Sequence, residues 1–555
     1  MRPKNDSGMK AMLLSQHLFT KWPIAMDSKK IFLSLALCLL AAHLVSSQDT
    51  FNKRYTFGYA AAVFTGAEVS DSCIYAYGII ADSVPPRYQP GLIWAKFSHE
   101  GELLDYKPHF QDSVRWDSWY GGLESYQDGF ISSSRVQRDT GASVMLVRFD
   151  SAGEIVNSSE FTYFFPTQGE KFIHNMRPAS GIDDKVLLPT REYNPEGAGL
   201  NQETILQLFD STGTMLWRKN FGGVHGTKMD FPWHTAALGD GFVVSSYTTN
   251  THLVNQNFEL RNYIFAVDTT GELLWDYLSP ADLQLGHPTS IYAEETDGSV
   301  IVATFLGEEI YANPVENTAL WGPAYIYKLW PSGEVEWTLT LHEPLPAFAN
   351  TFFYEMIKAS DGSGYLLAGQ ILQADDGGDE RGWLVKVSPE GDSLWSRQYR
   401  YLPPNEVTDQ HQLHDLEEMP DGGFLMAGMT VYYQEAPPIQ RAWLLRVDEH
   451  GCLVPGCELV STEEPGAAPA LELRLYPNPA TEHVNILLHD PKLPRRRGAE
   501  LRLLDLQGRT LRQHPAGEVD GVTNIMPLQG LPAGAYLLQY RADGQVLAVE
   551  RLVVR

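Results

Sequence analysis

Cysteine is scarce in this chain, and long apolar runs are scarcer still. Only 4 of the 555 residues are cysteines, so a dense disulfide framework is excluded and apolar packing has to supply the core. After residue 47 no apolar run approaches the ~20 residues that a membrane-spanning helix needs. We therefore expect no transmembrane helix in the mature chain.

Positive charge is also in short supply. The chain carries 42 Lys and Arg against 69 Asp and Glu, a formal net charge of −27. Residues 1–47 hold six basic and two acidic side chains and residues 471–555 hold eleven and nine, which leaves −33 for the segment between them. Such a field repels nucleic acid and anionic membranes, so both are poor candidates as partners.

Familiar catalytic motifs are missing as well. The sequence contains no G-x-S-x-G, no H-E-x-x-H, no Cys-His signature and no phosphate-binding glycine loop. A carboxylate pair for glycan cleavage stays open, because an acidic chain offers many candidates and only their separation in space decides. The sequence favours a protein that is not an enzyme, and it predicts no cofactor.

The first 47 residues have the pattern of an export signal. Lys29 and Lys30 precede an apolar stretch, residues 31–42, and small residues lead to Ser47. Met26 is the preferred start, which makes residues 26–47 the signal peptide and residues 1–25 a misassigned upstream segment. A lipid-attachment site at Cys38 is disfavoured, because Leu37 is bulky where a small residue is wanted.

Three cysteines remain after the signal. Cys452 and Cys457 flank a Pro-Gly pair that can turn the chain sharply enough to bring the thiols together. We predict a local disulfide between them and a free, buried Cys73. The alternative is three unpaired core cysteines, since connectivity cannot be deduced from sequence.

One motif, a strand ending in a glycine turn, occurs seven times. The copies run from "LIWAKFSHEG" to "WLLRVDEHG", with spacings of about 60 residues, which is typical of a repeat architecture, and their last glycines are Gly101, Gly153, Gly213, Gly271, Gly333, Gly391 and Gly451. Several copies read Asp-x-x-Gly, a tight turn. A tryptophan recurs four residues later, at Trp217, Trp275, Trp337 and Trp395, and we expect it to pack between neighbouring units.

A second strand pair around an Asp-Gly turn precedes each copy, so a unit holds about four short strands. Seven such units without helical patterns predict an all-β fold, a seven-bladed β-propeller over residues 48–460. Residues 51–57 either complete the last blade or cover it. The pattern "DGGFLMAGMT…RAWLLRVDEHG" resembles propeller repeats of exported proteins of Bacteroidetes-type bacteria. "NYIFAVDTTGELLWDYL" also looks like a quinoprotein repeat, but seven units and no Cys-Cys pair disfavour that enzyme.

The C-terminal residues show a different sequence pattern from the repeats. Residues 461–470 are small and Pro-containing and predict a linker, and residues 471–555 predict a small β-sandwich of alternating strands. This end resembles the sorting domain of the type IX secretion system. The matching residues are Tyr476, Pro477, Asn478, Pro479, Gly534, Tyr536 and Arg551.

That resemblance implies a partner and a location. The partner is the type IX secretion machinery, and the protein is expected in the medium or at the outer cell surface. In this family the tail is commonly removed, and the cargo is released or attached to surface glycolipid.

Ligands of propellers usually bind where the loops entering each inner strand converge. The predicted ligand-binding residues approach these strands: Trp119, Tyr120, His174, Arg177, Trp233, His234, His287, Tyr354, Glu355, His411 and His414. Aromatic rings mixed with histidines and carboxylates suit a glycan, a peptide or a protein. The preferred function is therefore a binding module. The alternatives are a glycan hydrolase or lyase that uses acidic residues at the channel mouth, and a structural spacer or adhesin.

We predict no metal site. His411 and His414 are three residues apart, which on a regular strand points them to opposite faces. The acidic stretch "ADDGGDERG" lacks the alternating spacing of a known calcium loop.

Overall fold

The computed structural model describes much of the chain after residue 49. The described residues are 50–82, 89–117, 122–138, 141–162, 179–182, 184–194, 201–223, 229–249, 260–283, 285–286, 290–306, 309–311, 319–341, 351–373, 379–401, 409–433, 438–454, 457, 472–489, 497–505, 509–516, 523–542 and 545–555. The predicted signal peptide and linker lie outside them. Within these residues the chain is almost entirely β, with a 3-10 turn at Ala281–Leu283.

The chain before the linker forms antiparallel units of about four strands in sequence order, and the third and fourth units are joined into one sheet by a single parallel pair, Gln202 with Met229. Strand β1 (Phe51–Tyr55) precedes them. Unit 1 comprises β2 (Ala61–Val69), β3 (Ile74–Ala81), β4 (Pro90–Phe97) and β5 (Leu103–His109). Unit 2 comprises β6 (Arg115–Asp117), β7 (Glu124–Tyr126), β8 (Gly129–Arg138), β9 (Gly141–Asp150) and β10 (Ile155–Thr162), with β6 and β7 both paired to β8. Unit 3 comprises β11 (Ala179–Ile182), β12 (Lys185–Asn194), β13 (Asn201–Phe209) and β14 (Met215–Asn220).

The remaining four units repeat the same strand order. Unit 4 comprises β15 (Met229–Leu238), β16 (Gly241–Thr249), β17 (Leu260–Asp268) and β18 (Leu273–Leu278). Unit 5 comprises β19 (Ser290–Ala293), β20 (Val300–Phe305), the inserted hairpin β21 (Glu309–Tyr311) and β22 (Ala319–Trp321), then β23 (Ala324–Leu329) and β24 (Val335–Leu341). Unit 6 comprises β25 (Thr351–Lys358), β26 (Tyr365–Gln373), β27 (Asp379–Val387) and β28 (Ser393–Tyr399). Unit 7 comprises β29 (Gln410–Glu418), β30 (Phe424–Tyr432) and β31 (Ile439–Val447).

Strand β1 supplies the fourth strand of unit 7. It pairs antiparallel with β31, from Phe51 opposite Arg446 to Tyr55 opposite Ala442. The sequence left open whether residues 51–57 complete this unit or cover it, and the pairing shows that residues 51–55 complete it.

Before the linker there is no single apolar core among the described residues. Most of the large apolar clusters lie between two consecutive units and contain residues of both. Ile301 and Ala303 of β20 pack with unit 6, while Val300 and Val302 of the same strand pack with unit 4. One cluster joins unit 7 to unit 1 and includes Phe64 and Leu444, so the series of cores returns to its start.

The first strands of the units also contact one another in order. The contacting pairs are β2 with β7, β7 with β11, β11 with β15, β15 with β19, β19 with β25, β25 with β29, and β29 with β2. The last pair is tied by hydrogen bonds. The Ala67 N–H donates to Asp415 Oδ2 at 2.6 Å, and His414 Nδ1 lies 2.8 Å from the Phe64 carbonyl oxygen.

The repeated glycine turns explain the recurring tryptophans. The seven aligned glycines have φ between +73° and +90°, which favours glycine. A Cβ on Gly391 would lie 2.5 Å from the ring of Trp337 in the preceding unit, and Trp337 Nε1 donates to the Pro389 carbonyl at 3.0 Å. Tyr55 of β1 makes the equivalent contact from unit 7 to unit 1, because its hydroxyl donates to the Gly101 carbonyl at 2.7 Å.

The antiparallel order fixes which strand ends lie together in each unit. The second strand ends where the third begins, and the fourth strand ends on that same side. On the opposite side, short turns join the first to the second strand and the third to the fourth, as between β15 and β16 and between β17 and β18.

The C-terminal residues form two further sheets. One contains β32 (Glu472–Tyr476), β33 (His483–His489) and β36 (Thr523–Pro527), and the other contains β34 (Glu500–Leu504), β35 (Thr510–Pro515), β37 (Gly534–Ala542) and β38 (Gln545–Val554). They share one apolar core that includes Ile486, Leu503 and Leu552.

The cysteines outside the tail have separate environments. A disulfide joins Cys452 and Cys457, whose Cα atoms are 5.6 Å apart. Cys73 is a buried free thiol in the core shared by units 1 and 2. The pairing closes a six-residue loop after the last strand of unit 7.

Replacing Asp415 by alanine tests the junction between units 7 and 1. The change leaves the buried N–H groups of Ala67 and Leu416 without their carboxylate acceptor, so we expect the free energy of unfolding to fall by about 3 kcal/mol. Urea denaturation measures it. The exposed Asp71→Ala is the control, and equal effects of the two changes would contradict this assignment.

Candidate functional site

Four first strands carry a β-bulge at the same place. The pairing register shifts around Thr65 in β2, Trp233 in β15, Tyr354 in β25 and His414 in β29. A bulge inserts one residue and redirects its side chain. A bulge of the same kind therefore redirects one side chain in each of four different units.

Glycines on the neighbouring strands make room for three of the bulges. A Cβ on Gly369 would lie 1.8 Å from the Phe352 carbonyl oxygen, and a Cβ on Gly428 would lie 1.8 Å from that of Gln412. A Cβ on Gly78 would likewise lie 1.9 Å from the Val63 carbonyl oxygen. No side chain fits at these distances, so the repeated glycine is required by the bulge.

An aromatic row crosses three units. The rings of Trp233 and Phe352 have centroids 5.4 Å apart, those of Phe352 and Tyr354 are 4.6 Å apart, and those of Tyr354 and His414 are 5.0 Å apart. Trp233 and Phe352 are half-buried, whereas Tyr354 and His414 are buried. The accessible end of the row is therefore Trp233 with Phe352, and Phe352 was not among the residues predicted from sequence.

A contact between a histidine and a carboxylate lies beside the row. His234 Nε2 is 3.4 Å from Glu355 Oε2, and each side chain is 8% exposed. His234 belongs to unit 4 and Glu355 to unit 6, so the contact joins two units that are not consecutive. The bulges place these two residues immediately after Trp233 and Tyr354.

A chain of polar contacts continues from the other end of the row. His414 Nε2 lies 3.1 Å from Gln412 Oε1, and Gln412 Nε2 donates to Glu380 Oε1 at 2.7 Å. His411 Nδ1 contacts the Glu380 carbonyl oxygen at 2.9 Å, while its ring packs edge-on to Trp443. His411 thus lies in the core between units 6 and 7 and is linked to the row through Glu380 and Gln412.

Burial determines the charge of both histidines. It lowers the pKa of His411 to about 4 and that of His414 to about 4. Both rings are therefore neutral at pH 7, and each carries one N–H. His414 faces two oxygen atoms, so only one of them receives a hydrogen bond from the neutral ring.

The structure brings together five of the predicted residues: Trp233, His234, Tyr354, Glu355 and His414. Four of these are buried beneath the surface. Trp119, Tyr120, His174, Arg177 and His287 lie outside the described residues. Sequence reasoning missed Phe352, Gln412 and Glu380, and the signal that points to Phe352 is the aromatic run Phe352-Phe353-Tyr354 in a first strand.

Metal ligation has no support in the part of the chain that the structure describes. There, no three His, Cys, Asp or Glu side chains are placed to hold an ion. Nor does any helix among the described residues have the length and apolar character to cross a membrane.

The C-terminal residues match a known family. Residues 474–555 match the secretion system C-terminal sorting domain. The protein therefore carries a type IX sorting tail, interacts with that machinery, and is secreted or located at the cell surface. No curated protein matches the chain.

Two solved structures illustrate the structural comparison. An ACO/RPE65 chimera is 12% identical with a TM-score of 0.35, and the match covers 60% of this chain and 71% of that one. The phage phi92 endosialidase is 10% identical with a TM-score of 0.36, and the match covers 91% of this chain and 87% of that one. Similarity at this level carries no information about ligand or activity.

The lowered histidine pKa values predict a pH dependence. Between pH 6.5 and 4 the unfolded chain binds protons that the buried rings do not, so stability is lost as the pH falls through this range. Because His411→Asn keeps a donor for the Glu380 carbonyl and does not titrate, we expect it to lose less stability than the wild type, by on the order of 3 kcal/mol. Urea denaturation at pH 6.5 and pH 4 measures the difference.

His450→Asn is the matched control, because His450 is exposed in the same unit. Its loss of stability should equal that of the wild type. Parallel pH profiles for the wild type and His411→Asn would show that His411 titrates normally in the folded protein.

Proposed function

We propose that this exported protein is a binding module, a seven-bladed β-propeller followed by a β-sandwich sorting tail. Its ligand is a glycan, peptide or protein that binds at the accessible end of the aromatic row, on Trp233 and Phe352. The observation that carries the proposal is the aromatic row, in which bulges in separate units direct Trp233, Tyr354 and His414 toward one another.

The packing of the units supports the propeller arrangement. Cores are shared between consecutive units, and unit 7 packs on unit 1. Strand β1 completes unit 7, and Tyr55 bonds to Gly101 in unit 1. In a propeller the first strands line the central channel, which is consistent with the contacts from β2 through β29 and back to β2.

The accessible end of the row suits stacking. The half-buried rings of Trp233 and Phe352 offer apolar faces, whereas His234 and Glu355 are buried next to them and contact each other. Aromatic faces beside a few polar groups are typical of sites for sugars and for planar or cationic side chains. The net charge of −33 over residues 48–470 disfavours a polyanionic ligand.

A glycan hydrolase or lyase is the second candidate, and the His234–Glu355 pair is the observation that favours it. A retaining or inverting hydrolase needs two available carboxyl groups. Asp415 is occupied, because its oxygens accept the N–H groups of Ala67 and Leu416. Because Asp415 is not available as the second carboxyl group that a hydrolase needs, the binding module is preferred. A spacer or adhesin would not need the row to be accessible.

Removing the sorting tail completes the proposed maturation. The propeller is then released into the medium or attached to surface glycolipid. Both outcomes leave the aromatic row with the propeller, since the row and the tail are separate in sequence.

Glycan and peptide arrays probed with the exported protein test the proposal, with product analysis for every hit. For the ligand found, Trp233→Ala and Phe352→Ala should each weaken binding at least about tenfold, because each removes a stacking face. Titration calorimetry measures the affinity.

Tyr106→Ala is the control, since Tyr106 is an exposed ring on the outermost strand of unit 1. It should leave the affinity unchanged. Absence of any ligand, or a ligand indifferent to both row substitutions, would contradict the proposal, and a cleaved product would favour the hydrolase.

A further inference from the structure

The side chain of Asn478 bonds to the last strand of the chain. Asn478 Nδ2 donates to the Arg551 carbonyl at 2.6 Å, and the Val553 N–H donates to Asn478 Oδ1 at 2.8 Å. One carboxamide thus fills the two backbone positions that a neighbouring strand would occupy. The contact spans 75 residues of sequence and joins the two ends of the tail.

The flanking prolines explain why a side chain performs this task. Pro477 and Pro479 have no N–H, so their backbone cannot donate to an adjacent strand. Ala480, the first residue beyond them, resumes backbone pairing: its N–H donates to the Val553 carbonyl at 2.8 Å, and its carbonyl accepts from the Arg555 N–H at 2.9 Å. Asn478 therefore extends the pairing of Ala480 by one step toward Arg551.

This pairing covers the outer edge of β38 at its end. Strand β38 is the edge strand of its sheet, with β37 on its other side. Terminal residues at an open sheet edge fray unless they are paired. Leu552 and Val554 are buried in the tail core, while Arg551 and Arg555 are exposed. The two arginines therefore share one face of the strand, about 13 Å apart along it.

We propose that Asn478 is a positioning residue for export. It holds residues 551–555 as a strand in one register, and the secretion machinery recognises that ordered strand rather than a free C-terminal peptide. The Pro-Asn-Pro motif and the terminal residues then form one recognition unit, although they lie at opposite ends of the tail sequence. This inference is independent of the proposed ligand-binding function.

The experiment uses the full chain expressed in a host that has the type IX machinery. Asn478→Ala removes both side-chain hydrogen bonds, so amide hydrogen exchange in residues 549–555 should accelerate about tenfold to a hundredfold. The exported fraction, measured by immunoblot of medium and cell surface against periplasm, should fall at least about fivefold if each opened strand goes unrecognised. Asn478→Asp keeps the acceptor for Val553 and loses the donor, so both effects should be intermediate.

Asn485→Ala is the matched control, because Asn485 lies in β33 of the same tail and does not contact β38 in the pairing register. It should leave both readouts unchanged. Exchange in β33 and β37 shows whether the tail stays folded; if Asn478→Ala unfolds it, Asn478→Asp provides the decisive comparison. Normal export from a variant with an opened terminal strand, or an unchanged terminal strand in Asn478→Ala, would overturn the proposal.

Discussion

Each four-stranded unit needs a neighbour on both faces, and this requirement governs the structure. The central strands are apolar on both sides: in β20 alternate residues pack against unit 4 and unit 6. A linear series of such units would leave two apolar faces in water at its ends. Unit 7 packs on unit 1, and this packing covers both faces at once. The two units share the cluster that contains Phe64 and Leu444, and the Asp415–Ala67 hydrogen bond joins them.

The repeat could be predicted from the sequence because each turn depends on residues that are adjacent in the chain. Glycine with positive φ and an aspartate that accepts N–H groups from its own turn leave a fixed signature, as at Asp268 and Gly271. The four strands per unit follow from these turns. The sequence could not decide whether residues 51–57 complete or cover the last unit, since Phe51–Tyr55 carries no repeat motif and its partner β31 lies almost 400 residues away.

The candidate site was predictable only in part. Regular alternation would point His411 and His414 to opposite faces, but the bulge changes the direction of His414 and leaves His411 in the core beside Trp443. Gly428, which has no Cβ, leaves room for the Gln412 carbonyl at this bulge, and sequence spacing does not reveal that the two positions lie opposite each other. The tail was more accessible to prediction, because its motif residues follow one another along the chain. Their contact with residues 551–553 was visible only in three dimensions.

The origin of the fourth strand of unit 7 has a kinetic consequence. Asn52 accepts a hydrogen bond from Trp443, 391 residues further along the chain. Strand β1 therefore pairs only after all the units between it and β31 are available. Contacts of such separation close slowly and leave unpaired edges exposed meanwhile. Until β1 pairs, one edge of β31 stays open, and an open edge is a site where another chain can pair.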